Sequence, residues 1–259
     1  MWPSRQPIGG LSDTTPATAL AGVLASSVAM AVPFLNVDAG ELPDEPEELY
    51  RAADVANIAC GGHAGNDATI LRSVDRCIAH HTAVGAHPSY ADVAHFGRVS
   101  VPMTEEELRC LVRDQCERLR GWTTARNRQV THAKAHGALY HNIDRIPSLA
   151  EAYMRGLRAA LGPNVVVIGP RNGATEVSAK AMGFEFASEG FADRRRTADG
   201  KLVPRTEPNA LIENEDEAAR VALALASEVD TVCVHSDTRN AVQIALRVRR
   251  ELDALKATA

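Results

Sequence analysis

The chain has 259 residues, of which 45% are hydrophobic, and it carries 28 Lys and Arg residues against 33 Asp and Glu residues. This length suits one large domain or two small ones, and the hydrophobic content excludes an intrinsically disordered chain. The formal net charge of −5 argues against a general nucleic-acid-binding protein, because attraction to phosphates needs a basic surface. Aromatic residues make up only 4% of the chain, which favours packed α/β layers over an all-β sandwich.

The cysteines are five in number, widely scattered and without a CxxC pair. This pattern is typical of reduced thiols and not of a disulfide framework, so we expect a cytoplasmic protein. Neither a zinc-ribbon spacing nor a P-loop occurs in the sequence.

The N-terminal residues 1–32 differ in composition from the rest of the chain. Residues 17–32 are alanine-rich and apolar, but the stretch is too short and too weakly hydrophobic to span a membrane. Residues 29–31 offer a small-residue cleavage pattern compatible with a signal peptide, whereas the segment before them lacks a clear excess of positive charge. We predict a leader or extension without fixed structure over residues 1–32, and a single domain over residues 33–259.

From Phe34 onwards, short β-prone runs alternate with longer stretches of helical periodicity. The predicted strands are Phe34–Asp38, Val55–Cys60, Ala83–His87, Val130–His136, Val165–Gly169, Phe184–Ser188 and Thr231–His235. The predicted helices are Glu47–Ala53, Asp67–His81, Thr104–Arg118, Pro147–Leu161, Ala174–Met182, Glu215–Ser227 and Thr238–Leu255. Repeated strand–helix units imply a parallel sheet with helices outside it, either closed as a barrel or open as a doubly wound sheet.

Histidines and glycines collect where the predicted strands end. Four of the nine histidines lie at or directly after a strand end: His63, His87, His136 and His235. Glycine lies within two residues of each of the first three, and a residue without Cβ lets the backbone turn sharply beside a ligand. Because the loops after barrel strands converge on one mouth, this pattern favours a barrel with its chemistry at that mouth.

Histidines and carboxylates at one mouth allow two kinds of chemistry. One is general acid–base catalysis, which uses imidazole near its working pKa. The other is activation of water by a divalent metal ion, for which Asp38, His63 and His87 are candidate ligands from three successive strands. Lys134, Arg194 and Arg171 are candidates for holding a substrate carboxylate or phosphate.

Eight motifs in register resemble the LamB/YcsF family, whose members are known as the A subunits of 5-oxoprolinase. They begin at Leu35 and end at Thr238, and the resemblance extends from Phe34 to the C-terminal helix. The motifs are LNVDAGE, NIACGGHAGN, GAHPSYAD, FGR, KAHGALY, FADR, DGKLVPR and VCVHSDT.

This resemblance implies a distorted seven-stranded (β/α) TIM-like barrel of the glycoside hydrolase/deacetylase superfamily type. It implies a hydrolase that works with 5-oxoprolinase subunits B and C in the ATP-dependent opening of 5-oxo-L-proline to L-glutamate. ATP is then consumed by the complex, and a divalent metal is a further candidate cofactor. The catalytic residues that it implies are Asp38, Glu41, His63, His87, His136, Asp193, His235 and Asp237. The substrate-binding residues that it implies are Asn36, Lys134, Tyr140 and Arg194.

The sequence departs from the family pattern at several positions. A Pro-containing stretch replaces the glycine-rich one after Glu41, Asn66 replaces the acid that usually ends HAGD, and Ala135 replaces the proline of KPHG. Two alternatives therefore stay open. One is a metal-dependent deacetylase or carbohydrate hydrolase of the same superfamily, and the other is a diverged binding subunit without catalytic activity.

Overall fold

The fold is a closed barrel of seven parallel strands, seen in a computed structural model that describes residues 32–198 and 200–258. Each strand pairs with the next in chain order, and the last pairs with the first, with Leu35 opposite Val232. This closing pair excludes the open sheet and confirms the predicted seven-stranded barrel. The strands are β1 (Phe34–Ala39), β2 (Val55–Ala59), β3 (Ala83–His87), β4 (His132–Lys134), β5 (Val166–Gly169), β6 (Phe186–Phe191) and β7 (Thr231–His235).

The helices of the described residues surround the barrel. They are α1 (Glu47–Ala52), α2 (Asp67–His80), α3 (Glu105–Thr124), α4 (Gly137–Arg145), α5 (Pro147–Leu161), α6 (Ala174–Ala181), α7 (Glu215–Leu225) and α8 (Ala241–Thr258). None of them combines the length and the apolar character that a membrane-spanning segment needs.

Two helix starts follow directly from local sequence. Asn66 accepts hydrogen bonds from the backbone of the first turn of α2, and the Thr69 side chain reaches back to the backbone of Asn66. Thr104 and Glu107 form the same reciprocal arrangement at the start of α3. These caps satisfy backbone N–H groups that would otherwise lack partners, and so they fix where each helix leaves its loop.

Several predicted boundaries were wrong. β6 begins two residues later and ends three residues later than the prediction of Phe184–Ser188, which places Glu189 inside the strand. β4 is reduced to three residues, and α3 continues to Thr124 instead of ending at Arg118. Helix α4 has no counterpart among the predicted helices, since its residues directly follow a predicted strand and resemble a loop.

The two faces of the strands carry different side chains. Outward-facing residues such as Leu35 and Val37 pack against the helices in the main hydrophobic core. The inward face begins, at the amino end of the barrel, with a separate apolar cluster: Phe34, Val55, Ala83, Val166, Ile168 and Ala187. Further along the strands the inward face becomes polar, with Asn36 and Asn57 both fully buried. The chemistry-bearing side chains therefore stand on an apolar base and point to the carboxyl end of the strands.

Two further predictions concern the cysteines and the N-terminal residues, and the structure bears only on the first. All five cysteines are free thiols, in agreement with the expectation of reduced cysteines. The predicted leader lies outside the described residues except for Val32, so the leader and the domain boundary near residue 33 stay predictions.

Candidate active site at the carboxyl end of the barrel

Three histidines and one glutamate converge at the carboxyl end of the barrel. Glu41 follows β1, His63 lies in the loop after β2, His87 ends β3, and His136 follows β4. One oxygen of Glu41, Oε1, lies 2.9 Å from His63 Nε2, 3.2 Å from His136 Nδ1 and 3.8 Å from His87 Nε2. All four residues are buried. We call this group the histidine cluster.

The opposite edge of each imidazole ring in the histidine cluster is held by a neighbour. His87 Nδ1 lies 2.8 Å from the carbonyl oxygen of Lys134, and His136 Nε2 lies 2.9 Å from that of Phe96. His63 Nδ1 lies 2.9 Å from the hydroxyl of Ser89. Because carbonyl oxygens only accept hydrogen bonds, His87 donates from Nδ1 and His136 donates from Nε2.

Burial and neighbouring charges shift the protonation of these histidines. Burial lowers the pKa of His63, and it lowers that of His136 to about 4, so both rings are neutral at pH 7. Burial also acts to lower the pKa of His87, but the charge of Asp38 outweighs it and raises that pKa. The cluster therefore contains rings of different basicity, which suits proton transfer.

A second buried group, the lysine network, lies beside the histidine cluster. Lys134 Nζ reaches from β4 across the barrel, 2.9 Å from Asp38 Oδ1 on β1 and 2.7 Å from Glu189 Oε1 on β6. It also lies 3.1 Å from the sulfur of Cys233. Burial opposes the charges of Lys134 and Asp38, but their partners outweigh it: Asp38 raises the Lys134 pKa, and His87 together with Lys134 lowers the Asp38 pKa. Lys134 is thus saturated by protein carboxylates.

Asp193 orients His235 at the end of β7. Its carboxylate accepts hydrogen bonds from the His235 backbone N–H at 3.0 Å, from His235 Nδ1 at 2.9 Å and from the Thr238 hydroxyl at 2.6 Å. This leaves His235 Nε2 directed towards Asp38 Oδ2, 3.7 Å away. Burial acts to raise the pKa of Asp193, but His235 and Thr238 lower it to about 2.

Three arginines gather around Asp237 at the rim of the mouth. Asp237 forms ion pairs with Arg98 and with Arg205, the latter at 3.2 Å. Arg194 is affected by the charges of all three, and burial together with Arg205 lowers its pKa to about 10. Three guanidinium groups against the carboxylates of Asp237 and Asp193 leave an excess of positive charge. Within the described ranges the Arg194 Nε atom is buried without a hydrogen-bond partner.

The loop after β3 covers the histidine cluster. The ring of Phe96 packs edge-on against His63 and His136 at centroid distances of 5.2 and 5.5 Å. A Cβ atom on Gly97 would lie 2.8 Å from the Cβ of His63, and Gly97 also has a positive φ of 65°, so this position requires glycine. Residues 96–98 therefore lie directly over the cluster.

A separate cavity of about 380 Å³ lies at the opposite, amino end of the barrel.

The structure brings all the predicted site residues to the carboxyl half of the barrel, but it divides them into separate groups. A metal-compatible group forms around His63 and His87 with Glu41 and His136, whereas Asp38 groups with Cys233 and His235. Asn36 lies deeper, where it donates to the Thr231 hydroxyl at 2.7 Å and accepts from Asn57 at 2.9 Å. Tyr140 is buried near Glu189, and its hydroxyl makes no hydrogen bond of good geometry with any described residue.

Sequence reasoning missed three charged residues of this site. Glu189 stands out in the sequence only as part of a strand end, although its carboxylate contacts Lys134. Arg98 and Arg205 lie in the FGR and DGKLVPR motifs but are not among the predicted site residues. Their position in matched motifs was the one signal that could have found them, because their common partner Asp237 is distant in sequence.

Comparison with known proteins gives a consistent result. The model of the LamB/YcsF family matches residues 35–259. The A subunit of 5-oxoprolinase from Methylococcus capsulatus is 36% identical over 239 residues, covering 85% of this chain and 92% of that protein. Its counterpart from Pyrococcus furiosus is 35% identical over 221 residues, covering 80% and 86%.

A solved structure agrees in fold as well as in sequence. The crystal structure of the lactam utilization protein from Thermus thermophilus superposes with a TM-score of 0.80 at 31% identity, covering 87% of this chain and 98% of that one. The resemblance carried by the eight motifs is thus confirmed over nearly the whole described chain, and the protein belongs to the LamB/YcsF family.

Proposed function

We propose that this chain is one component of an ATP-dependent 5-oxoprolinase, which acts with two partner subunits, B and C, to open 5-oxo-L-proline to L-glutamate. The observation that carries the proposal is the histidine cluster next to the rim of three arginines, in a chain whose relatives are named as A subunits of 5-oxoprolinase. That name also supports a complex of several subunits. We assign ATP to the assembled complex, because this chain has no P-loop spacing.

Lactam opening needs proton transfer at two atoms. A water oxygen bonds to the ring carbonyl carbon and loses a proton, while the ring nitrogen gains a proton as the C–N bond breaks. Glu41, His63 and His136 are suited to these transfers, since neutral imidazoles and a carboxylate can accept a proton and return it. Positioned acid–base groups of this kind contribute rate factors of about 10² to 10⁴.

The arginines suit the carboxylate of the substrate. Arg194 offers a buried Nε without a partner among the described residues, and its charge adds to those of Arg98 and Arg205. Guanidinium groups bind carboxylates through paired hydrogen bonds of fixed geometry. The Tyr140 hydroxyl, also buried, is available to a polar atom of the lactam ring. Lys134 instead holds Asp38 and Glu189 in place.

The test is a reconstitution of the chain with subunits B and C, ATP and 5-oxoproline, in which glutamate release is measured. We expect Arg194→Gln to raise the KM for 5-oxoproline by about 10- to 100-fold, because hydrogen bonds between charged groups contribute about 1.5–3 kcal/mol. Arg196→Gln is the matched control, since Arg196 is an exposed neighbour in the same loop. No glutamate release by the wild-type complex would refute the proposed function, and equal KM values for the two variants would refute the role of Arg194.

A second candidate, a metal-dependent deacetylase, is favoured by the three-histidine composition of the cluster. The excess positive charge at the rim favours an anionic substrate instead, which neutral acetylated sugars are not. Release of acetate from an N-acetylated sugar by the isolated chain, with no glutamate from the reconstituted complex, would decide for this candidate.

A further inference from the structure

We propose that Glu41, His63, His87 and His136 bind one divalent transition-metal ion, for which Zn²⁺ is the fitting choice. This set differs from the one expected from sequence, which combined Asp38 with His63 and His87. The proposal rests on the geometry of the histidine cluster and not on the proposed function. With the ion bound, Glu41, His63 and His136 would hold it instead of transferring protons.

Two of the histidines point unprotonated nitrogens at each other. His87 donates from Nδ1 to the Lys134 carbonyl, and His136 donates from Nε2 to the Phe96 carbonyl. In the neutral rings the remaining nitrogens, His87 Nε2 and His136 Nδ1, are therefore acceptors. These two atoms lie 3.0 Å apart. Two lone pairs repel at that distance, so a proton or a metal ion has to lie between or beside them. His87 Nε2 also lies 3.3 Å from Asp38 Oδ2, whose negative charge favours a positive charge at this point.

The same point is approached by two further acceptors. Glu41 Oε1 lies 3.2 Å from His136 Nδ1 and 2.9 Å from His63 Nε2. Ser89 donates its hydroxyl hydrogen to the Tyr90 carbonyl, at 3.0 Å, so it accepts from His63 Nδ1 and leaves His63 Nε2 unprotonated. Four acceptor atoms from four side chains thus face one another inside the barrel.

A single proton does not resolve this arrangement. A proton on His87 Nε2 would satisfy its contact with His136 Nδ1. If Ser89 also rotated, His63 could donate from Nε2 to Glu41. The 3.2 Å contact between Glu41 Oε1 and His136 Nδ1 would still join two acceptors without a hydrogen. A metal ion would satisfy all four atoms once one of the His63 and His136 rings, which are stacked in parallel at a centroid distance of 3.6 Å, tilts so that both face the ion.

The spacing of the four atoms fits a small, tetrahedrally coordinated ion. Zinc bonds of about 2.0–2.1 Å at tetrahedral angles place ligand atoms about 3.4 Å apart. The distances that Glu41 Oε1 makes to the three ring nitrogens, 2.9, 3.2 and 3.8 Å, lie on both sides of that value. Imidazole nitrogens favour zinc and its transition-metal neighbours over Mg²⁺ or Ca²⁺, which prefer oxygen ligands.

The outer hydrogen bonds agree with this assignment. Metal-binding histidines commonly donate their second ring N–H to a carbonyl or carboxylate, which fixes the ring orientation. His87 and His136 do so here. The other candidate group, formed by Asp38, Cys233 and His235, differs because the Lys134 ammonium already lies 2.9 Å from Asp38 and 3.1 Å from Cys233. A cation of the protein itself thus occupies that neighbouring position.

The test is metal binding by the untagged full chain after removal of metal with a chelator. We expect calorimetric titration with Zn²⁺ to give one ion per chain, and Co²⁺ to give the intense visible absorption of a tetrahedral site. His136→Ala is expected to weaken binding by more than about 100-fold, since even outer-shell changes cost 10- to 100-fold. His81→Asn is the control, because His81 is exposed, distant from the cluster and in a left-handed conformation that Asn tolerates.

Folding of each variant is checked by circular dichroism. Glu41→Gln keeps the shape of the side chain and provides an independent answer if His136→Ala does not fold; we expect at least a tenfold loss of affinity. Absence of stoichiometric binding by the wild-type chain would overturn the proposal, as would equal affinity in the wild-type chain and a folded cluster variant. Because these readouts need neither substrate nor partner subunits, they are independent of the proposed lactam chemistry.

Discussion

The lysine network and the histidine cluster are neighbours in the same barrel, both are buried, and they differ in charge balance. In the lysine network, the ammonium of Lys134 lies between the carboxylates of Asp38 and Glu189. In the histidine cluster, the carboxylate of Glu41 meets ring nitrogens whose hydrogens are directed elsewhere. The first group holds a lysine ammonium between two carboxylates, whereas the second sets one carboxylate against three imidazole rings, of which His87 has a raised pKa.

We infer from this difference that the lysine network has a structural role and the histidine cluster a functional one. A buried charge is tolerated when partners compensate it, and the loss of one partner is then costly. A buried group of uncompensated acceptors is instead a place where a proton, a metal ion or a substrate can bind with little rearrangement of the protein. The contrast leads to predictions about stability as well as activity.

Lys134→Met should have the largest effect on stability. Removing the ammonium leaves Asp38 with only His87 and His235 near it and takes from Glu189 its Lys134 partner, and breaking a buried ion pair in this way costs about 3–5 kcal/mol of unfolding free energy. Urea denaturation measures this loss. Lys180→Met is the matched control, because Lys180 is exposed and its pair with Glu176 is expected to contribute less than about 1 kcal/mol. Similar losses for both variants would contradict the structural role of the lysine network.

Asp193→Asn should have an intermediate effect that depends on pH. The pKa of Asp193 is about 2 in the fold, against about 3.9 in an unfolded chain, so the unfolded state takes up a proton first as the pH falls. The ionised carboxylate therefore contributes about 2–3 kcal/mol above pH 5, and this contribution is lost between about pH 5 and pH 2. The difference in unfolding free energy between wild type and variant should shrink over that range. A difference that stays constant with pH would exclude this assignment.

Glu41→Gln should have the smallest effect on stability. In the metal-free chain the amide can donate to a ring nitrogen that now faces a carboxylate, so we expect unfolding free energy to change by less than about 1 kcal/mol. Urea denaturation in the presence of a chelator measures the change. A loss as large as that of Lys134→Met would show that the two buried groups are held in the same way.

The barrel could be predicted from sequence because its signals are local. Alternating apolar runs predict the strands, and the capping residues Asn66 and Thr104 mark the starts of two helices. Histidines and glycines after the strands predicted the position of the site. Helix α4 escaped prediction because it begins with Gly137, a poor helix former, and because His136 at its start provides no side-chain cap.

The grouping of the site residues could not be predicted, because it depends on contacts between distant segments. The predicted end of β6 was wrong because a charged residue such as Glu189 is typical of a loop. Only the structure shows that Lys134 on β4 compensates the charge of Glu189 inside the barrel. The predicted metal ligands Asp38, His63 and His87 stay a prediction. No local pattern shows that Asp38 lies 2.9 Å from Lys134 as well as 3.3 Å from His87. Ring orientation likewise depends on carbonyl groups, such as that of Phe96, which carry no sequence signal.

The loop at residues 96–98 bears on how quickly the site can be used. Phe96 and Gly97 lie against His63 and His136, and Arg98 is held by Asp237 on the far side of the mouth. For the proposed lactam substrate, we infer that the ring reaches the histidines after displacement of this loop. Loop motions of this kind take microseconds to milliseconds. We infer that the motion of the three residues lying over the cluster would set an upper limit on the turnover rate of the proposed reaction.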